Sequence, residues 1–271
     1  MLVTRQKLGR DQLHKALQDV IDGLSLWPLW GRLGWNDILQ RYRRSLLGPF
    51  WLTASMAIMV VALGVVYAEI FKTELRDFVP FLCTGLLVWG YISAVLLEAG
   101  SLFVGSESYI KQIRLPYSLY VFRFIWSKAI IFAHNLVIYF GVLAYYQIWP
   151  GAVALYAVPG FLILMLNSAL TSSYIGVVSA RFRDIPQIIA SVVQIAFFIT
   201  PIMWKPELLG ERTHLMSWNP IYHLVEIVRA PLLGQMPTFE NVVAVGIITI
   251  ANAFVAVVFF ARYRSRIAYW V

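Results

Sequence analysis

The sequence predicts an all-α integral membrane protein with six transmembrane helices per subunit, an N-terminal interfacial amphipathic helix and a short re-entrant element before the last span. Two observations predict this class: of the 271 residues 60% are hydrophobic and only 13% charged, and the mean hydropathy is +0.71. A water-soluble chain carries about 25% charged residues. Soluble, disordered and disulfide-rich classes are therefore excluded.

Each transmembrane helix is predicted from an apolar stretch of the required length. A bilayer core about 30 Å thick needs about 20 apolar residues per helix, and a helix satisfies its own backbone polar groups. Glu69 is the one Asp, Glu, Lys or Arg in the six qualifying stretches. The predicted spans are residues 51–71, 78–97, 129–149, 153–178, 186–204 and 242–261.

The positive charges predict the orientation of these spans. Of the Lys and Arg residues, 17 fall in the terminal segments and alternate loops on one side and 5 on the other. Because the positive side stays inside, both termini are predicted to be cytoplasmic. The net charge of +8 is thus explained by membrane topology rather than by binding to nucleic acid. We divide the chain into a cytoplasmic segment (1–34), a transmembrane domain (35–266) and a cytoplasmic tail (267–271).

A basic amphipathic helix is predicted just before the first span. From Trp35 to Leu46 the apolar and aromatic residues recur on one helical stripe, and Gly48-Pro49 ends it. Such a helix lies in the plane of the lipid headgroups. Two interpretations are open: a plain membrane anchor, or contact with the phosphate of a lipid substrate, because guanidinium groups suit phosphate. The residues for that contact are Arg41, Arg43 and Arg44.

A second short helix is predicted on the opposite side of the membrane. It begins at Asn219-Pro220, since proline is favoured at the first helical position, and Pro231 and Gly234 stop it after about ten residues, or about 15 Å. That length crosses half a bilayer, so we interpret it as a re-entrant element whose broken ends are covered by protein or a water-filled cavity.

The chain carries no recognisable energy source or catalytic centre. It lacks the G-x-x-x-x-G-K-[ST] loop that cradles nucleotide phosphates, and it lacks H-E-x-x-H and G-x-S-x-G. The central parts of the spans contain no carboxylate of the kind that ion-coupled transporters use. We therefore expect no cofactor in this chain, and energy supplied by another polypeptide.

Seven short motifs occur in order between Trp35 and Arg266: Arg41-Tyr42, Leu47-Gly48, Phe50-Trp51, Lys111 to Pro116, Phe182-Arg183-Asp184-Ile185, Thr200-Pro201-Ile202 and Asn219-Pro220. Together with six spans and an amphipathic leader, they resemble the transmembrane permease subunit of ABC exporters for polysaccharides and polyol phosphates. That family serves O-antigen, capsule and teichoic acid export.

The resemblance implies a homodimer in the bacterial inner membrane, bound to two copies of a cytoplasmic ATPase that carries ATP and Mg. It implies a lipid-linked polysaccharide substrate that passes through a tunnel between the protomers. It also implies that the loops between spans two and three and between spans four and five contact the ATPase. The matching residues are Lys111, Arg114, Phe182, Arg183 and Asp184.

Aromatic rings suit a sugar chain, because they cover its apolar faces without fixed charges. The candidate tunnel-lining residues are aromatic side chains of the first and fifth spans; the alternative is an interfacial aromatic belt. They are Trp51, Tyr67, Phe71, Phe197, Phe198 and Trp204.

Three functions remain open from the sequence. The first is export of a lipid-linked polysaccharide. The second is an ABC permease for a drug or small lipid, because a fold does not fix its cargo. The third is a membrane-embedded glycosyl- or acyltransferase, which needs a cluster of acidic or histidine residues that the sequence does not display.

Overall fold

The computed structural model describes residues 10–41, residue 43 and residues 50–271, and all regular structure in that part of the chain is helical. The predicted all-α class is thus confirmed there; Arg44 and the Gly48-Pro49 break lie outside the described residues. The α-helices are α1 (Arg10–Ser25), α2 (Trp27–Arg41), α3 (Phe50–Phe71), α4 (Leu75–Ala99), α5 (Glu107–Gln112), α6 (Tyr117–Tyr146), α7 (Ala157–Arg181), α8 (Ile185–Ile199), α9 (Pro220–Leu232), α10 (Phe239–Tyr263) and α11 (Ile267–Trp270). Short 3-10 helices cover Val104–Ser106, Gly151–Tyr156, Pro206–Trp218 and Arg264–Arg266.

Five predicted spans are confirmed as helical stretches long and apolar enough to cross a membrane. α4 is the central one: it is buried along most of its length and contacts α3, α6, α7, α8 and α9. The other four present apolar side chains outward, as lipid-facing helices do. The five stretches are Thr53–Phe71, Leu75–Ala99, Tyr117–Tyr146, Gly151–Arg181 and Phe239–Trp270.

The helix of the third predicted span begins before residue 129. α6 begins at Tyr117, directly after Pro116, and therefore includes a stretch that we assigned to a loop. The charges of Arg123 and Lys128 caused that assignment. In the structure both side chains are paired with carboxylates, which allows them to belong to a membrane helix.

The fifth predicted span, residues 186–204, is helical over Ile185–Ile199 only. Fifteen residues correspond to about 22 Å, which is less than the thickness of a bilayer core. The helix stops because Thr200 precedes Pro201, and a residue before proline is driven to extended backbone; Thr200 has φ −83° and ψ 135°. A sixth complete span therefore stays a prediction.

α9 begins at the predicted residue and lies against the break after α8. The Asn219 side chain accepts hydrogen bonds from the backbone N–H groups of Ile221 and Tyr222, and its amide donates to Thr200 Oγ1 at 3.0 Å. The helix runs for 13 residues, slightly longer than predicted, and ends at Leu232. Whether it is re-entrant stays a prediction.

Arg229 satisfies the carbonyl group that this break leaves without a helical partner. Its Nη1 donates to the Pro201 carbonyl oxygen at 2.6 Å, its Nε donates to Glu226 Oε1 at 2.9 Å, and its guanidinium lies 4.4 Å from the centre of the Phe81 ring. The side chain is completely buried. Arg229 thus joins α9, α4 and the non-helical segment after α8.

Asparagine side chains connect α7 and α10. The Asn252 amide donates to the Asn167 carbonyl oxygen at 3.0 Å and to Thr171 Oγ1 at 2.9 Å, and the Asn167 amide donates to Thr249 Oγ1 at 2.8 Å. Asn252 is therefore an interhelical hydrogen-bonding residue.

The amino-terminal helices pack against the membrane helices through two acidic residues. Asp19 of α1 is buried; it accepts hydrogen bonds from the backbone N–H groups of Tyr117 and Ser118, and its Oδ2 lies 2.7 Å from Arg264 Nε. Asp37 of α2 binds Arg123 of α6 through both oxygens, at 2.7 and 2.5 Å.

α2 has the outward aromatic face that an interfacial helix requires. Trp27, Trp35 and Leu39 are exposed, whereas Ile38 and Gly34 are buried against α6. The helix begins at Trp27, eight residues before the predicted start. The boundary that we drew between residues 34 and 35 therefore falls inside α2.

We expect Asp19→Asn to loosen α1. The substitution removes the ion pair with Arg264 and the charge on two hydrogen bonds to the start of α6, and a hydrogen bond to a charged group contributes about 1.5–3 kcal/mol. Tryptic cleavage after Lys15 is expected to accelerate about tenfold or more. Asp22→Asn, at an exposed position of the same helix, is the control. Equal cleavage of both variants contradicts the role of Asp19.

We expect Arg229→Gln to destabilise the protein, because it leaves the Glu226 carboxylate and the Pro201 carbonyl without their partner. Breaking a buried pair in this way costs about 3–5 kcal/mol. The thermal unfolding midpoint in detergent measures the loss. The exposed Arg212→Gln should leave the midpoint unchanged. An unchanged midpoint for Arg229→Gln would show that the break is held by other contacts.

Candidate functional site

A groove with a volume of about 480 Å3 lies between α3, α4, α6 and α8. Its walls are mostly apolar, with a few polar groups from serine and asparagine. Arg41, Glu98 and Lys128 form its charged end, beside the carboxyl end of α2. The larger wall residues are Met56, Met59, Leu86, Leu87, Trp89, Tyr91, Ile131, Phe132 and Phe197.

The charged end of the groove consists of two cations that share one carboxylate. Arg41 Nη2 lies 2.8 Å from Glu98 Oε2, and Lys128 Nζ lies 2.6 Å from Glu98 Oε1. The Lys128 side chain is only 3% exposed, and its ammonium lies 5.3 Å from the centre of the Phe124 ring. The cluster can therefore hold an anion at the mouth of an apolar space.

The predicted phosphate-binding arginines are placed differently with respect to this groove. Arg41 is the last residue of α2 and lines the charged end. Arg43 is exposed, and Arg44 lies outside the described residues. Sequence reasoning missed Lys128 and Glu98, since both stood at the edges of a presumed loop. The signal that could have found them was Pro116, which marks the start of a helix at Tyr117.

The six candidate tunnel-lining residues do not form one surface within a single chain. Phe197 lines the groove, where its ring centre lies 5.5 Å from that of Trp89. Phe198 is exposed, and its carbonyl oxygen accepts a hydrogen bond from Trp204 Nε1 at 3.3 Å. Trp51 is exposed near the start of α3. Near the opposite end of that helix, Tyr67 and Phe71 pack on each other with ring centres 5.6 Å apart.

The predicted ATPase-contact residues lie on two neighbouring exposed elements. Lys111 belongs to α5 and Arg114 follows that helix, whereas Phe182, Arg183 and Asp184 form the turn between α7 and α8. All five are exposed. α5 contacts α11, which in turn contacts α7. We call α5, Arg114 and the 182–184 turn the coupling surface.

Charged side chains of the two elements of the coupling surface act on each other. Lys111 Nζ donates to Glu107 Oε1 at 2.6 Å, and this hydrogen bond lowers the pKa of the Glu107 carboxyl below its usual value. The positive charge of Arg183 also contributes to lowering that pKa, so the α7–α8 turn lies within electrostatic range of α5.

A second cavity of about 480 Å3 lies at the opposite end of α4, next to α9 and the break after α8. Its charged residues are balanced: Arg76, Lys205 and Arg229 face Asp77, Glu207 and Glu226. With three cations and three carboxylates, this cavity has no excess charge with which to select an anion. It differs in this respect from the groove at Lys128.

Comparison with known proteins identifies the family. The sequence profile of the ABC-2 type transporter matches residues 28–233, which include the groove, the coupling surface and α9. The chain is also similar to the O-antigen export system permease protein RfbA of Klebsiella pneumoniae, with 19% identity over 195 residues that cover 70% of this chain and 74% of that protein. The chain therefore belongs to the ABC-2 type transporter family, as a multi-pass membrane permease subunit.

Proposed function

We propose that this chain is the membrane-spanning subunit of an ATP-driven exporter that moves a lipid-linked polysaccharide, of O-antigen or capsule type, from the cytoplasm across the bacterial inner membrane. The observation that carries this proposal is the groove in which a cationic end, including Arg41, adjoins apolar walls. A lipid with a phosphate head needs both features. The similarity to an O-antigen export permease supports the same class of cargo.

The proposed partners are a second copy of the chain and two copies of a cytoplasmic ATPase, which supplies ATP and Mg. The coupling surface supports the ATPase contact, because a cytoplasmic domain moves membrane helices through rigid elements that reach it. The excess of Lys and Arg on that side supports cytoplasmic termini. The tunnel lies between the two protomers in this proposal, lined by aromatic side chains of α3 and α8 and by Trp204.

An ABC permease for a drug or a small lipid is the second candidate. The groove favours it equally as far as the apolar walls are concerned, because they accept any hydrocarbon chain. The two candidates differ in what accumulates when the protein is absent. The transferase alternative loses its support, since the chain belongs to a transporter family.

Deletion of the chain in its native cell tests the cargo. We expect lipid-linked glycan to accumulate at the cytoplasmic face and surface glycan to disappear, because synthesis continues while translocation stops. Spheroplasts are prepared without added protease and probed with a glycan-specific lectin. Lectin binding before lysis measures surface glycan, and the increase after lysis measures glycan at the cytoplasmic face. Re-expression of the chain is the control. Normal surface glycan in the deletion strain would overturn the polysaccharide assignment.

A charge exchange tests the coupling surface. Arg183→Glu with Asp184→Arg keeps the net charge but reverses both contacts, so we expect co-purification of the ATPase and export both to fall about tenfold or more. The control is Glu211→Arg with Arg212→Glu, two adjacent exposed residues between α8 and α9. If both exchanges leave ATPase association and export intact, the turn does not contact the ATPase.

A further inference from the structure

Lys128 is a buried cation that neither the tunnel nor the coupling surface uses. It lies in α6 with a side chain that is 3% exposed, and its counter-ion in the described structure is Glu98. A buried ammonium group carries a large desolvation cost unless charges and hydrogen bonds compensate it. Its place at the end of a groove rather than in a closed core suggests a ligand-binding role.

The single carboxylate of Glu98 is divided between two cations. One oxygen contacts Arg41 at 2.8 Å and the other contacts Lys128 at 2.6 Å. The next carboxylate that acts on Lys128 is Asp37, and Asp37 is bound by Arg123 through both oxygens. These five residues therefore carry one excess positive charge, located at the mouth of the groove.

The shape and charge of the groove together specify the ligand. Excess positive charge at one end attracts an anion, and the apolar walls formed by Met56, Leu86 and Phe132 bury hydrocarbon. A soluble anion makes no contact with the apolar walls, whereas a neutral lipid makes no ionic contact with the cations. An amphiphile with an anionic head and a hydrocarbon tail satisfies both.

We propose that this groove binds one phosphate-headed membrane lipid, with its phosphate on Lys128 and Arg41, and that Glu98 is an internal competitor for the same two cations. Glu98 neutralises them in part while the groove is empty, and the arriving phosphate displaces it. A phosphate monoester carries about −1.5 to −2 charges at pH 7, which exceeds the single charge of the carboxylate. The return of Glu98 then favours release of the head.

The proposal predicts opposite effects for the two partners in one ion pair. Lys128→Gln removes a phosphate ligand and is expected to weaken binding about tenfold or more, the loss of one charge-assisted hydrogen bond. Glu98→Gln removes the competitor and is expected to strengthen binding about tenfold. A purely structural ion pair predicts instead that both substitutions weaken binding by disturbing the groove.

The measurement is titration of the purified full chain in neutral detergent with dioleoyl phosphatidate, with the bound lipid counted by native mass spectrometry. Phosphatidate should bind more tightly than phosphatidylglycerol, whose phosphate has a single charge, and more tightly than diacylglycerol or inorganic phosphate. Arg262→Gln removes an exposed cation outside the groove and is the matched control. The variant Glu98→Gln with Lys128→Gln removes the pair without leaving a buried charge, so it should fold and still bind weakly.

Two results overturn the proposal: equal weakening by Lys128→Gln and Glu98→Gln in chains with normal thermal midpoints, or inorganic phosphate that binds as tightly as phosphatidate. The identification of the lipid as the carrier of the exported cargo rests on the proposed function, but its binding does not. If the two variants have opposite effects on phosphatidate binding but deletion of the chain leaves surface glycan normal, the lipid-binding groove is supported and the polysaccharide cargo is rejected. If deletion of the chain abolishes surface glycan but both variants bind phosphatidate as the original chain does, the lipid-binding groove is rejected and the polysaccharide cargo is supported.

Discussion

A buried polar group has no water to bind, so it must be satisfied by the protein itself. The arrangement around Arg229 follows from this constraint. Pro201 ends α8 early and leaves its own buried carbonyl group without a helical partner, and a completely buried arginine from α9 binds it. The arginine in turn needs Glu226 to balance its charge. The helix break at Pro201 therefore explains why Arg229 and Glu226 lie together beside it and why α9 packs against α4.

The same constraint separates structural polar groups from functional ones. Asn252, Asn167 and their threonine partners bind each other between α7 and α10, as structural hydrogen bonds between membrane helices do. The cavity next to Arg229 has balanced charges. The cluster at Lys128 is different because two cations share one carboxylate. The proposed binding site rests on this incomplete balance of charge beside an apolar groove.

The sequence predicted the parts of the fold that depend on hydropathy alone. Five spans, the α9 start at Asn219-Pro220 and the family resemblance could be read from the chain because apolar length and helix-start signals are local. The beginning of α6 was missed although Pro116 marks it, because Arg123 and Lys128 resemble loop residues until their partners in α2 and α4 are known. Tunnel residues were the hardest to predict, since an aromatic side chain at a span end suits lipid, protein and sugar equally.

α8 connects the coupling surface to the groove in a single helix. It begins beside Asp184 on the coupling surface, and Phe197 in its last turn packs on Trp89 in the wall of the groove. The helix rises by about 20 Å from Asp184 to Phe197. Because a helix transmits displacement along its axis with little loss, a movement imposed at the 182–184 turn changes the Phe197 wall directly. The contacts of Arg229 with Pro201 and Phe81 limit movement beyond Phe197, because they attach the segment after α8 to α9 and α4. Under the proposed function, a displacement of the turn by the ATPase therefore alters the wall of the groove, while Arg229 keeps the segment after α8 in place.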